Sequence, residues 1–371
     1  MGFRESRMEN MEVDILKKTF KNKKVFITGH TGFKGAWLLN ILHALGAELK
    51  GYALAPTNEN DIYNQVNAKA LCNSIIADIM DMEKLKKEII DFQPDFIFHL
   101  AAQPLVRLSY EKPQQTFLVN ALGTVNILES IRSLDKPCVV VLITTDKVYR
   151  NLETEHYYAE NDTLGGHDPY SASKACAELI IDSYRNSFFN SSNYDTHKKS
   201  ISVARAGNVI GGGDWSADRI IPDIINALSQ HKPIQVRNPN SVRPWQHVLE
   251  PLFGYITLAA KQVNDPVKYQ TAFNFGPEKN DILPVSQLVS LAVKNWGQGT
   301  FEVQKNIDNL HEAGLLHLDI TKAKLFLGWR PKMNSEQAIK HTIDWYKVML
   351  NNKHDIIDFT KQQIDNYLNK I

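Results

Sequence analysis

The chain of 371 residues has little cysteine: Cys72, Cys138 and Cys176 are its three thiols. Their number is odd, their spacing is wide and no Cys-x-x-Cys pair occurs, so neither a disulfide framework nor a zinc site is indicated. No metal is expected, and Cys138, opening an apolar run, reads as core. Charge of one sign is also missing, since the formal net charge is +1. Nucleic acid or an anionic membrane calls for a basic field that this balance does not supply. The lysine-rich patch Lys17–Lys24 is the local excess and reads as a solvated helix end. Apolar runs stay well short of the roughly 20 residues a membrane span needs. Met1–Asn10 is charged and has no signal-peptide core. Repeats and low-complexity tracts are absent. These absences point to a reducing, cytoplasmic setting and a small-molecule substrate. What is present is ordinary: 43% hydrophobic and 22% charged residues, in a chain long enough for one large domain or two.

Residues 1–20 read as a polar leader with a short helix. Lys24–Thr28 then reads as a buried strand running directly into Gly29-His30-Thr31-Gly32-Phe33-Lys34-Gly35. Trp37, Leu38, Ile41, Leu42 and Leu45 follow at helical spacing, and Gly46 ends the helix. A second strand, Leu49–Ala53, completes a βαβ unit. The glycines Gly29, Gly32 and Gly35 are spaced G-x-x-G-x-x-G rather than G-x-G-x-x-G. The physics is shared: glycine permits a tight turn and close approach to a pyrophosphate at the helix N-terminus. After the second strand, Leu54-Ala55-Pro56-Thr57 offers neither an acid for a ribose 2′-hydroxyl nor an arginine for a 2′-phosphate. NAD is preferred to NADP, although this turn does not decide it.

A third strand, Ser74–Ala77, leads to Asp78, and a helix at Met82–Asp91 follows. Pro94 precedes a strand at Phe96–Leu100, where Ala101-Ala102-Gln103 supplies small residues against which a flat cofactor can pack. His99 reads as a packed core histidine. A long helix is expected over Pro113–Ser133, burying Val119, Leu122, Val125, Ile127, Leu128 and Ile131 with Asn120 among them. Val139–Ile143 is apolar without alternation, the mark of a strand covered on both faces. It ends in Thr144-Thr145-Asp146-Lys147, where open α/β sheets place their ligands. Tyr170 and Lys174 lie four apart and share a face of the helix expected over Tyr170–Asn190. An ammonium beside a phenol favours the phenolate, giving an acid/base that works near neutral pH.

With Ile201–Ala204 as a further strand, the alternation implies an α/β fold: a Rossmann-like, doubly wound parallel sheet over residues 20–205. The character changes at Arg205, where a glycine-rich loop runs to Trp215. Residues 206–335 read as a smaller mixed α/β domain that covers the substrate, its chain partly interleaved with the first. Arg237, Arg243, Trp245 and His247 cluster there, and residues 336–371 read as peripheral helices.

Together, Gly29-x-x-Gly32-x-x-Gly35, Thr145-Asp146-Lys147 and Tyr170-x-x-x-Lys174 resemble the extended short-chain dehydrogenase/reductases of the epimerase/dehydratase type. Longer stretches resemble the CDP-glucose 4,6-dehydratase group: Gly29–Trp37, Ala102–Tyr110, Ala206–Trp215 and Arg243–Pro251. The resemblance runs from about Asn22 to Trp345. It implies an internal redox elimination on CDP-glucose with NAD. Tyr170 takes the 4-hydroxyl proton as hydride leaves C4, Thr145 bonds the same oxygen, and Lys174 supports the phenolate and the nicotinamide ribose. Asp146 protonates the departing 6-oxygen, and hydride returns to C6. Position 147 is glutamate in the related dTDP-glucose enzymes. Lys147 here either takes the C5 proton, if its pKa is depressed, or steadies the enolate.

The resemblance further implies that Gly29, Thr31, Gly32, Phe33, Gly35, Asp78, Ile79, Leu100, Ala101 and Ala102 hold the cofactor with Tyr170 and Lys174. Gln103, Arg107, Asn208, Arg219, Arg243 and His247 would hold the nucleotide sugar. A homodimer or dimer of dimers built on the Pro113–Ser133 and Tyr170–Asn190 helices would follow, as would a place in deoxysugar supply for O-antigen or lipopolysaccharide. The alternatives are a 4-epimerase, a dehydratase for another nucleotide sugar, or a non-catalytic NAD-binding protein. An epimerase has no use for Asp146-Lys147, and a sensor has no need of both Tyr170 and Lys174.

Overall fold

The structure, a computed structural model, describes residues 12–304 and 315–370. Its centre is a sheet of seven parallel strands: β1 (Lys24–Thr28), β2 (Glu48–Ala53), β3 (Asn73–Ile76), β4 (Phe96–His99), β5 (Cys138–Ile143), β6 (Lys199–Ala206) and β7 (Ala272–Phe275). Their order is β7-β6-β5-β4-β1-β2-β3. The order reverses between β1 and β4, and the crevice outside the carboxyl ends of the strands at such a reversal is where these sheets bind ligands. Among its helices are α1 (Phe33–Ala44), α2 (Met82–Phe92), α3 (Gly123–Arg132), α4 (Pro169–Ser187), α5 (Leu249–Asn264), α6 (Ser335–Asn351) and α7 (Ile356–Leu368). Every residue of β5 and β6 is buried, as the unalternating apolar run of β5 requires. Side chains leave β5 alternately for two cores. Val139, Val141 and Ile143 join α1 and α5, while Val140 and Leu142 join α2, α3 and α4.

Two features depart from expectation, and between them stands one that follows the expected interleaving of the chain. The helix through Pro113–Ser133 is interrupted by a π turn at Leu118–Leu122. The extra residue in that turn shifts the face of the helix, so Leu122 points outward at 43% exposure while Asn120 is buried. The strand at Ala272–Phe275 returns to the main sheet as β7, pairing Phe273 with Ala204. The C-terminal helices are not peripheral. Trp345 and Tyr346 of α6 are fully buried, and Tyr346 Oη donates to the Asp214 carbonyl at 2.5 Å. Gly212 lies flat on Trp345, where a Cβ would come within 2.0 Å of the indole. A hole left by a distant glycine-rich loop is invisible in local periodicity.

Candidate active site

At the reversal point, glycines bring three elements closer than side chains allow. Gly29 has φ +73°, and a Cβ there would sit 2.7 Å from Ala101 N. A Cβ on Gly35 would sit 2.1 Å from the Gly29 carbonyl oxygen. Gly32 caps α1, whose first-turn N–H groups have no acceptor within the helix and whose positive end suits a pyrophosphate. Thr31 Oγ1 donates to the Leu54 carbonyl at 2.8 Å, and Asp78 accepts from Met80 N at 3.0 Å. His99 is held by Thr28 at 2.7 Å, and burial, then Lys174, lowers its pKa to about 3, which makes it a neutral core histidine. A cleft of about 1050 Å³ opens here. Gly29, Thr31, Gly32, Phe33, Gly35, Asp78, Ile79, Leu100, Ala101, Ala102, Tyr170 and Lys174 all line it. Its glycine cradle and helix N-terminus fit a dinucleotide.

The residues expected to react come from the end of β5 and the first turns of α4. Asp168 caps α4 by accepting from Ser171 N at 2.9 Å and Ser171 Oγ at 2.6 Å, and Pro169 opens the helix. This aims Tyr170 and Lys174 at β5. Thr145 Oγ1 donates to Asp146 Oδ1 at 2.9 Å and lies close enough to the Tyr170 phenol to influence its titration. Burial raises Tyr170 to about 12, with Thr145 opposing the rise. The expected lowering by Lys174 is therefore not what governs the phenol in this state. Lys174 Nζ donates to the Ile143 carbonyl at 3.3 Å, and burial lowers its own pKa to about 8 while Glu178 pulls the other way. Glu178 was not legible as a site residue, although Tyr170, Lys174 and Glu178 share one helical spacing. It accepts from Thr144 Oγ1 at 2.6 Å and forms a buried ion pair with Arg205.

Arg107, Asn208, Arg219 and Arg243 also line the cleft, as do Lys147 and Trp245. Arg219 pairs with Asp214 at 2.7 Å and Arg107 with Asp218 at 3.6 Å. Two residues expected to contact the substrate, Gln103 and His247, do not line the cleft. Gln103 turns into its own loop, donating to the Leu105 carbonyl at 3.1 Å and to Thr116 Oγ1 at 2.9 Å and accepting from Leu105 N at 2.6 Å. His247 is fully buried behind the wall, its ring 6.0 Å from Trp37 and 6.0 Å from His341. Asp146 is 5% exposed and sits beside Gly207, where a Cβ would be 3.1 Å from its Oδ2. Among the described residues, no group of three His, Cys, Asp or Glu is placed to hold a metal.

A parallel sheet reversing over a glycine turn, with Thr145, Tyr170 and Lys174 converging at its crevice, defines an extended short-chain dehydrogenase/reductase fold. The model of the GDP-mannose 4,6 dehydratase family matches residues 26–342, and the chain belongs to that family. It is 44% identical over 352 residues to the CDP-glucose 4,6-dehydratase of Salmonella typhimurium, covering 95% of this chain and 98% of that one. It is 24% identical to the CDP-paratose 2-epimerase of Salmonella typhi, over 87% of this chain and 98% of the other. Among solved structures, DesIV of Streptomyces venezuelae, a dTDP-glucose 4,6-dehydratase with NAD and TYD bound, superposes with a TM-score of 0.74. It is 22% identical, over 91% of this chain and 99% of that one.

Proposed function

We propose that this chain dehydrates CDP-D-glucose to CDP-4-dehydro-6-deoxy-D-glucose, using NAD held along Gly29–Gly35. The observation that carries the reading is the meeting of Thr145-Asp146-Lys147 with Tyr170 and Lys174 at one strand end. NAD held there by Gly29, Gly32, Gly35 and Lys174 would supply the hydride acceptor and donor that the sugar's C4 and C6 require. Tyr170 receives the 4-hydroxyl proton, and Thr145 bonds the 4-oxygen. Lys174 stabilises the phenolate and orients the ribose. The resulting ketone acidifies C5, and Asp146 protonates the departing 6-oxygen. Lys147 serves the C5 step, either taking the C5 proton or steadying the enolate. Arg107, Asn208, Arg219 and Arg243 hold the diphosphate, a task suited to the guanidinium fork.

A 4-epimerase needs no acid for a leaving oxygen, so Asp146 favours the dehydratase. The exposed Phe117, Leu118, Leu122 and Leu179 support pairing of copies through this helical face as a homodimer or dimer of dimers. Among the described residues no helix is long and apolar enough to cross a membrane. The reading places the enzyme in the cytoplasm, supplying deoxysugars for O-antigen or lipopolysaccharide. Incubation with CDP-, dTDP-, UDP- and GDP-hexoses tests the assignment. A 4-keto-6-deoxy product is expected from CDP-glucose, and a product from another nucleotide alone refutes the cytidine assignment.

A further inference from the structure

Two of the arginines assigned above to the diphosphate face a carboxylate of the chain itself, and the two carboxylates differ in how firmly they are held. Asp214, paired with Arg219 at 2.7 Å, is buried. Its side chain also accepts from Ser216 N at 3.1 Å, and its carbonyl accepts from Tyr346 Oη. That carboxylate is part of the scaffold. Asp218 is the other. Its Oδ1 lies 3.6 Å from Arg107 Nη1 and 3.1 Å from Arg237 Nη1, so one oxygen bridges two guanidinium groups. All three residues line the cleft. Arg107 stands on the short helix Val106–Glu111, and Asp218 on the loop leading into the helix Ile220–Ser229. Arg237 also pairs with Asp223 of that second helix, at 3.2 Å, which anchors the Arg237 end of the bridge. The Asp218 side chain is 43% exposed. Water screens a pair so placed, and exchanging it for another costs little. The backbone at Asp218 is left-handed, with φ +60°, a conformation that aspartate tolerates better than most residues.

We propose that Asp218 and the substrate's diphosphate compete for Arg107, an inference that rests on the reading of Arg107 as a diphosphate ligand. The carboxylate offsets the positive charge that a diphosphate seeks there and repels the diphosphate itself. As the nucleotide sugar binds, Arg107 exchanges one carboxylate oxygen for phosphate oxygens, which its fork matches better. Asp218 keeps Arg237 as its partner. Affinity is then the difference between two ion pairs, so Asp218 restrains the binding of every anion that uses Arg107. Anions of low charge gain too little from the exchange, which makes the carboxylate a determinant of specificity.

The test is calorimetric titration of the NAD-saturated protein with two probes, CDP and inorganic pyrophosphate. Asparagine keeps the side-chain size and accepts the left-handed backbone, so Asp218→Asn removes the charge and leaves the loop in place. It should bind both probes about 2–5-fold more tightly than the wild type, the equilibrium worth of one exposed ion pair. Arg107→Gln should bind them more weakly, and adding Asp218→Asn to it should bring no gain, because the contested group is gone. Unchanged or weaker binding by Asp218→Asn overturns the proposal. So does an equal gain with and without Arg107, which would make Asp218 a diffuse repulsive charge, and so does a wild type that binds neither probe. A wild type that binds pyrophosphate but not CDP refutes the cytidine reading instead, and the pyrophosphate titrations alone then decide the competition.

Discussion

At the scale of single residues, the reactive groups divide by which bond they serve. Tyr170→Phe removes the acceptor of the 4-hydroxyl proton and should lower kcat by about 10²–10⁴-fold. Its melting temperature should stay near wild type, because the phenol's polar contact is with Thr145. Asp146→Asn should still oxidise C4 but stop before water loss, so the 4-keto-glucose nucleotide should accumulate in a borohydride trap. Product formed at the wild-type rate would remove Asp146 from the elimination. The proximity of Tyr170, Thr145 and Asp146 was readable because helical spacing and a strand end dictate where they lie. His247 does not reach the cleft lining. Adjacency to Arg243 along the chain does not reveal which way the ring turns from its short bridging strand, and it turns to Trp37.

At the scale of elements, β5, β6 and α4 are locked together behind the site by Thr144, Glu178, Arg205 and Tyr149. Arg205 Nη1 donates to Tyr149 Oη at 2.8 Å, and Tyr149 Oη donates to Asn274 Oδ1 of β7 at 2.7 Å. Glu178→Gln leaves the buried Arg205 cation uncompensated and should cost about 3–5 kcal/mol, read by urea unfolding. In α1, Gly35→Ala would drive a methyl to 2.1 Å from the Gly29 carbonyl oxygen. The turn must open, and NAD binding measured by calorimetry should weaken severely; unchanged affinity would mean that the dinucleotide lies elsewhere. Strands and helices of the sheet were readable from apolar period and glycine stops. The π turn at Leu118–Leu122 was not, because one extra residue in a helical ladder leaves the surrounding period intact while rotating Leu122 out.

At the scale of the whole molecule, the C-terminal helices complete the core, and Glu250 of α5 ties them down. Its carboxylate accepts from Lys332 N at 3.0 Å, Met333 N at 2.8 Å and Tyr367 Oη at 2.6 Å. Burial nevertheless raises its pKa from 4.5 to about 7. Between those values the folded chain holds a proton that the unfolded chain has released, so stability falls as pH rises through this window and levels off above it. Glu250→Gln should flatten that slope in the melting temperature between the two pH values. A slope unchanged in the variant would assign it to other groups. The parallel order of the central sheet followed from alternating strands and helices. The docking of residues 335–368 did not, because its partner is a glycine-rich loop more than a hundred residues away.

The claim joining these scales is that one cleft oxidises, dehydrates and reduces the same sugar. It is tested most directly with CDP-glucose carrying deuterium at C4. The expected result is a 4-keto-6-deoxy product with that deuterium at C6 and no net reduction of NAD. Deuterium retained at C4, or passed to NAD without reappearing in the product, would contradict it.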